Sequence, residues 1–153
     1  MSRPAHALGF SMVELMVTVA VAAIILGIGV PSFQSLIASQ KVKAAASNLQ
    51  VSLSLTRTEA LKRNAMVTLS PNSSTDWKTG WKIVDPGTNA ILFTTAGVSV
   101  VITGPTSIKY RGSGRIDATS GGKFQFSGTG TTEVRCVEVD LSGISVITKG
   151  ACP

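Results

Sequence analysis

A single acidic side chain within a long apolar run is the feature of this sequence best suited to specific chemistry. Between Phe10 and Val30, Glu14 is the only ionisable residue, and Ser11 and Thr18 are the only other clearly polar side chains. A carboxylate inside a bilayer costs about 3 kcal/mol or more unless it is paired. We therefore expect Glu14 to serve an interaction that compensates for this cost.

Two kinds of partner fit the residues around Glu14. The segment "SMVE" matches the S-x-x-E capping box, in which Ser11 and Glu14 satisfy free amides at a helix start. Alternatively, cleavage after Gly9 would create an α-ammonium on Phe10 at about the same membrane depth as the carboxylate. The ammonium of a neighbouring copy could then pair with Glu14 and fix the axial register of two parallel helices. Both interactions can hold, in different states.

Catalytic and metal-binding patterns are poorly represented in this chain. His6 is the only histidine, and it lies in the segment before Gly9. Without it the chain has no Ser-His or Cys-His nucleophile arrangement. There is no Gly-rich phosphate or dinucleotide motif, and two cysteines without a histidine are too few for a zinc site. We expect no enzymatic activity, no cofactor and no metal site.

The apolar run has the length of a membrane span. A secretory signal places its small-residue cleavage site after the apolar stretch, whereas Gly9 comes before it. Cleavage at Gly9 would therefore leave the run on the mature protein, and residues 10–30 would span about 31 Å as a helix. Arg3 favours a cytoplasmic amino end. The sequence predicts a single-pass membrane protein with its carboxyl-terminal domain outside, and in an exported domain Cys136 and Cys152 are expected to form a disulfide.

The helical pattern continues beyond the apolar run. Pro31 should kink or locally unwind the helix, since it removes one backbone donor and clashes with the preceding turn. Beyond it, one set of residues recurs at steps of three or four: Val42, Ala45, Leu49, Leu53, Thr56 and Ala60. This spacing predicts an amphipathic half over residues 31–63, after a transmembrane half over residues 10–30.

Residues 64–153 read as a β-rich domain that covers the apolar stripe of the helix. Short β-branched or aromatic runs separated by Gly, Pro, Asn and Ser predict strands at 65–70, 80–85, 90–95, 98–103, 107–111, 123–128, 133–140 and 143–149. The predicted fold class is α+β, with antiparallel strands packed on a long helix. Trp77 and Trp81 are expected to be core and turn anchors rather than a binding platform.

The stretch "GFSMVELMVTVAVAAIILGIGVPSF" resembles the class III leader and helix of type IV pilins and type II secretion pseudopilins. In this resemblance residues 1–9 are the leader, Gly9 precedes the cleaved bond, Phe10 is the new terminus, Glu14 is the characteristic acid and Pro31 the helix-kinking proline. The resemblance implies that a prepilin peptidase cleaves after Gly9 and methylates the Phe10 amine, which keeps its positive charge. It also implies a type IV pilin-like fold.

Two further segments, "LTRTEALKRNAMVTLSP" and "DWKTGW", resemble the FimT/GspH branch of minor pilins and minor pseudopilins. With the leader, this resemblance extends over essentially the whole chain, and it does not separate a pilus from a secretion system. It implies a subunit that is stored in the inner membrane and joins other pilins in a periplasmic or extracellular filament, at the tip or in the priming complex. A bitopic protein that never polymerises also fits the hydropathy, but it leaves Glu14 and the Gly9-Phe10 junction unexplained.

The excess of basic residues suggests a second hypothesis for the function, which is DNA binding during uptake for transformation. The formal charge is +6, and from Lys41 onward there are 13 basic and 7 acidic residues. Some FimT-like pilins have a GRxR pattern near the last strand, where "SGISVITKG" keeps only Lys149. Another basic cluster could contact phosphates if the strands place it on one face: Lys109, Arg111, Arg115 and Lys123.

Overall fold

The computed structural model describes residues 10–85, 87–119 and 121–153, apart from the side chains at 28–31. The leader predicted at 1–9, including Gly9, lies outside the described residues. The helix α1 spans Met12–Arg63. The strands are β1 (Val67–Ser73), β2 (Asp76–Val84), β3 (Ile91–Thr94), β4 (Val101–Thr103), β5 (Ile108–Tyr110), β6 (Gly122–Ser127), β7 (Val134–Val139) and β8 (Ser145–Lys149).

At the end of helix α1, its last backbone carbonyls accept hydrogen bonds from residues in a left-handed turn. Asn64 has a φ of 48°, and its amide donates to the Leu61 carbonyl over 3.2 Å, while the Ala65 amide donates to Ala60 over 3.2 Å. These two bonds form a Schellman motif, in which Asn is one of the few residues that adopt the left-handed conformation readily. The end predicted near Arg63 and Asn64 is confirmed.

Position 31 lies within α1, whose helical assignment is continuous from Met12 to Arg63. The local unwinding that was one of two predicted outcomes at Pro31 does not occur. A helix can tolerate an internal proline by losing one hydrogen bond and bending, without a break in its helical backbone. The kink, the other predicted outcome, stays a prediction.

The chain divides into two compact units, Met1–Ser35 and Leu36–Pro153. In the first unit, the described residues belong almost entirely to the amino-terminal part of α1, and none of its apolar window is buried within the chain. The second unit holds the rest of α1 and all eight strands. Its core is one continuous cluster contributed by α1 and by both sheets.

Two four-stranded antiparallel sheets make up the β-rich part of the second unit. The first has the order β3-β2-β1-β5, and Leu69 of β1 lies between Ile83 of β2 and Ile108 of β5. The second has the order β4-β6-β7-β8, and Phe124 of β6 lies opposite Val137 of β7. The α+β class and the antiparallel pairing are as predicted. Each of the eight predicted segments overlaps one strand. The bounds differ at three of them: β1 continues to Ser73 past an irregularity between Pro71 and Ser73, β2 begins at Asp76 instead of Gly80, and β6 begins at Gly122.

The helical stripe predicted from the spacing is the buried face of α1. All six residues are buried: Val42, Ala45, Leu49, Leu53, Thr56 and Ala60. The five apolar members pack in the same cluster as residues from both sheets, including Trp81 from the first and Phe124 from the second. At about 25 cal/mol per Å² of apolar surface removed from water, this shared burial is the main force that holds helix and sheets together.

The predicted disulfide is present between Cys136 and Cys152, with a Cα–Cα distance of 5.1 Å. Around it, the Cys152 amide donates to Oε1 of Gln125 over 3.2 Å, and Nζ of Lys123 donates to the Pro153 carbonyl over 3.1 Å. The disulfide therefore fastens the carboxyl-terminal residues to the central strands β6 and β7. On the chain-entropy account, a loop of this length contributes about 3 kcal/mol of stability.

Candidate functional site

The amino-terminal end of α1 is capped by Ser11. Its Oγ accepts the backbone N–H of Glu14 over 3.2 Å, and its carbonyl accepts the N–H of Leu15 over 3.2 Å. Ser11 is therefore the N-cap residue, and Glu14 stands in the first turn, where a negative charge interacts favourably with the helix dipole. Half of the predicted capping box is formed.

The carboxylate of Glu14 does not complete that box. Within the described residues it forms no hydrogen bond and no ion pair, and the side chain is exposed. Phe10, four residues earlier, is 72% exposed. The carboxylate is thus free to meet a partner from outside this chain, and the terminal residue proposed to supply a cation stands on the same accessible end of the helix.

The surface around Glu14 is apolar and uncovered. Helix α1 contains a stretch long and apolar enough to cross a membrane, and the described part of the chain buries none of it. The hydroxyl of Thr18 donates to the Leu15 carbonyl over 2.9 Å, so this polar group is satisfied inside the helix. Exposed apolar surface of this extent marks a site of contact with a membrane or with protein.

The other end of α1 is tied to the first sheet by an ion-pair network. Nε of Arg63 lies 3.0 Å from Oε2 of Glu59, and its NH1 lies 3.1 Å from Oδ2 of Asp85. The Gly87 amide donates to Asp85 over 2.9 Å and is the main cause that lowers the pKa of Asp85. Burial acts to raise this pKa, whereas Thr88 and Arg63 lower it further. Glu59 and Arg63 belong to the helical segment that carried the resemblance, so that segment has a structural role.

The "DWKTGW" segment builds the contact between the two sheets and the helix. Trp81 donates from Nε1 to Oγ of Ser52 over 2.8 Å, and Trp77 donates from Nε1 to the Pro105 carbonyl over 2.7 Å. Trp77 also meets Phe124 edge to face, with ring centroids 4.9 Å apart. Gly80 has a φ of 87°, and a Cβ there would overlap the Thr95 carbonyl. Both tryptophans are buried anchors, as predicted.

The family model described as type II transport protein GspH matches residues 45–143, which is more than half of the chain. The chain belongs to the GspH family. The match begins within the amphipathic half of α1 and covers the first seven strands. Its sequence signal therefore comes from the second unit, independently of the leader and apolar run that carried the first resemblance.

The fold of this GspH-family chain is similar to that of a solved minor pilin. Two crystal structures of the type IV minor pilin FimU from Pseudomonas aeruginosa match with TM-scores of 0.62 and 0.60. Their sequence identities are 17% and 18%, over 73% and 71% of this chain and 90% and 92% of FimU. No curated protein is similar enough to be matched. The type IV pilin-like fold expected from the sequence is confirmed.

The predicted basic cluster is divided between the two sheets of this GspH-family domain. Lys109 lies on β5, and Arg111 and Arg115 flank the turn that follows, where the Arg111 amide donates to the Arg115 carbonyl over 2.8 Å. Arg111 is also in an ion pair with Asp117. Only three of the predicted cations thus share this turn, and one of them is neutralised.

The other two predicted cations belong to the second sheet. Lys123 on β6 lies 3.5 Å from the carboxylate of Glu138, and Lys149 ends β8 opposite Arg135. Arg135 is itself paired with Glu133. The structure therefore does not join the five cations into a single uninterrupted basic surface.

Two contacts were not anticipated from the sequence. The partner of Arg63 at Asp85, and the role of Ser52 as acceptor for Trp81, join positions more than twenty residues apart. The sequence signal for the second contact is Ser52 itself, a polar residue on the apolar face of α1, because a buried hydroxyl normally has a hydrogen-bond partner. The local spacing does not identify that partner.

Proposed function

We propose that this chain is a membrane-anchored minor pilin or pseudopilin that assembles through α1 into a type IV pilus or a type II secretion pseudopilus, as a tip or priming component. The carrying observation is the carboxylate of Glu14, which has no partner in the described chain and stands in the first turn of an exposed apolar helix. Membership of the GspH family supports the assignment to this class of subunit.

Processing would generate the missing partner. A prepilin peptidase would cleave between Gly9 and Phe10 and methylate the new terminal amine. The mature protein would remain in the inner membrane by its single helix, with the β-rich domain in the periplasm. The leader 1–9, the membrane half 10–30, the amphipathic half 31–63 and the β-rich domain 64–153 would be the functional divisions.

Assembly would then follow from charge pairing and apolar burial. In lipid, the unpaired Glu14 is costly, and the ammonium of Phe10 on a neighbouring subunit would neutralise it at a defined axial position. The exposed apolar surface of α1 would pack against the helices of that neighbour, with close van der Waals contact as the gain. Residues of this chain bind and position in this scheme, and no reaction or cofactor is required of them.

Replacing Glu14 by Ala tests the proposal. We expect the E14A variant to reach the membrane at normal levels but to be lost from sheared filaments or purified pseudopili, measured by quantitative immunoblot. Thr18→Val is the matched control, because it removes a polar group from the same helix without removing the charge, and it should incorporate normally. Incorporation of the E14A variant at the level of the unaltered chain would show that assembly does not need the carboxylate. Absence of the unaltered chain from the filaments would instead favour a bitopic protein that never polymerises.

DNA binding during uptake stays a prediction from the resemblance, and no observation in the structure favours it over assembly. An electrophoretic mobility shift with the detergent-solubilised full chain would test it. Salt-sensitive retardation that weakens in an Arg115→Gln variant would support phosphate contacts at the β5 turn. Absence of such retardation would count against a DNA receptor.

A further inference from the structure

A cleft lies between α1 and the turn that joins β7 to β8. It encloses about 320 Å³. The helix contributes Gln50, Ser54 and Arg57 to its lining, and the turn contributes Gly143, Ile144 and Ser145. All of these residues belong to the second compact unit. We call this feature the Arg57 cleft.

Arg57 is a cation without a partner inside the described chain. Its Nε atom is buried and makes no hydrogen bond there, and no acidic residue lines the cleft. Asp140 in the β7–β8 turn and Glu59 on the helix are engaged elsewhere: Asp140 accepts from Ser142 and from the Ile144 amide, and Glu59 pairs with Arg63. A buried polar group left unpaired is costly, so an incoming acceptor would be favoured.

The wall opposite Arg57 is fixed in place by close backbone packing. Gly143 has a φ of 82°, and a Cβ there would overlap the carbonyl oxygen of Gly114. A Cβ on Gly114, whose φ is 76°, would lie 3.2 Å from Nε of Arg57. Nε2 of Gln50 donates to the Ser145 carbonyl over 3.0 Å, which links the helix directly to the turn. The shape of this open cleft is therefore fixed by the packing of its wall.

Tyr110 does not supply the missing anion. Its hydroxyl donates to the Gly143 carbonyl over 3.3 Å. Burial raises the pKa of Tyr110 to about 12; the positive charge of Arg57 acts in the opposite direction, and Asp140 adds to the rise. Tyr110 is thus a neutral phenol at physiological pH, and Arg57 stays uncompensated.

We propose that the Arg57 cleft receives an aspartate or glutamate side chain from the globular domain of the next subunit in the filament. A guanidinium and a carboxylate form charge-assisted, often bidentate hydrogen bonds. The excess of 13 basic over 7 acidic residues from Lys41 onward also favours an acidic partner. This inference rests on the proposed function, because it requires assembly with other pilin-like subunits.

The surroundings of the cleft favour a protein partner over a free anion or DNA. Leu61 and Ile144 border it and are 50% and 51% exposed, so the rim offers apolar contact on both sides of the cation. A phosphate backbone is bound by several spaced cations, whereas this cleft holds one. A carboxylate carried on a protein surface would use both the cation and the apolar rim.

Filament incorporation of Arg57 variants tests the inference in the full chain. We expect Arg57→Gln to lower incorporation at least fivefold and Arg57→Lys to retain part of it, because lysine keeps the charge but not the fork of donors. Arg115→Gln, an exposed cation outside the cleft, should incorporate normally. The melting temperature of each detergent-solubilised variant separates docking from folding: Arg57→Gln should melt within a few degrees of the unaltered chain.

A photo-cross-linking amino acid at Ile144 provides a second measurement that does not depend on the stability of the Arg57 variant. Assembled filaments should yield a cross-link from this position to a neighbouring pilin-like domain, and peptide mapping should place it near an acidic side chain. A cross-link to DNA, or none to protein, would overturn the inference. If Arg57→Gln incorporates normally while Glu14→Ala does not, the inference fails and the proposed function stands; absence of the unaltered chain from the filaments would refute the proposed function.

Discussion

Three charged residues on one helix show how the surroundings of a side chain decide its role. Arg63 is held by two carboxylates and ties the helix end to β2. Glu14 and Arg57 have no such partner in the described chain. An unpaired charge that sits in lipid or in a cleft carries a free-energy cost, and in a filament subunit that cost can be offset by the neighbour. We therefore expect Arg63 to stabilise the fold, and the intersubunit contacts proposed for the other two would offset their cost.

Ser52 is predicted to stabilise the fold through a buried hydrogen bond. Its Oγ accepts the indole N–H of Trp81 in a fully buried position. Ser52→Ala would leave that N–H without an acceptor, which costs about 1–3 kcal/mol of unfolding free energy. Urea denaturation of the solubilised chain, followed by tryptophan fluorescence, measures the loss. Ser54→Ala is the control, because it removes an exposed hydroxyl from the same helix, and it should change the free energy of unfolding by less than about 0.5 kcal/mol. Equal effects of the two substitutions would contradict this explanation.

Acid should destabilise the second unit through three aspartates. The pKa of Asp85 is lowered from 3.8 mainly by the Gly87 amide, that of Asp117 mainly by Arg111, and that of Asp140 mainly by the Ser142 hydroxyl. Since the folded pKa values lie below the unfolded ones, the stability contributed by these groups is present above 3.8 and is lost as pH falls through the folded values.

The melting temperature should therefore be nearly constant from about pH 7 to pH 5 and should fall below about pH 4. Circular dichroism of the solubilised chain measures it. Asp117→Asn should lower the melting temperature at neutral pH and reduce its dependence on acid, because the variant has lost the ion pair with Arg111 at every pH. A melting temperature that rises on acidification would show that these carboxylates do not stabilise the fold.

At the scale of elements, local sequence patterns predicted approximately where each element lies along the chain. They did not predict which elements pair with one another. The apolar spacing from Val42 to Ala60 predicted the buried face of α1, and turn residues approximately located all eight strands, because both signals arise within a few residues. The start of β2 was missed because Gly80, taken as a turn residue, lies inside that strand. The placement of β5 beside β1, and of β4 beside β6, depends on contacts between distant segments. Local spacing does not encode such pairings, and the Arg57 cleft was missed for the same reason.

The carboxyl-terminal end of α1 offers a direct test of the helix stop signal. Asn64 has a φ of 48°, where a β-branched residue is strained by roughly 1–2 kcal/mol. We expect Asn64→Val to lower the unfolding free energy by about that amount, whereas Asn64→Gly should leave it unchanged or slightly raised, since glycine adopts this conformation freely. Urea denaturation of both variants measures the difference, and a glycine variant as unstable as the valine variant would refute the explanation.

At the scale of the whole molecule, the hydrophobic residues of the two units differ in their burial. In the second unit, one continuous set of them forms a core, from Val42 to Val139. Those of the first unit remain exposed within the described chain, from Phe10 to Phe33. Exposed apolar surface of this extent marks contact with a membrane or with protein, and the composition of the apolar run already indicated a membrane segment. Which machine it belongs to is not encoded in these features, since pilus and secretion subunits share them.

The central claim is that a cation created at Phe10 compensates for the carboxylate of Glu14 during assembly. Intact mass spectrometry of the chain purified from its native membrane tests this claim most directly, because the cation exists only if the bond after Gly9 is cut. The account predicts a mature chain that begins at Phe10 and carries one added methyl group on its terminal amine. A chain that still begins at Met1, or that begins downstream of Val30, would contradict it.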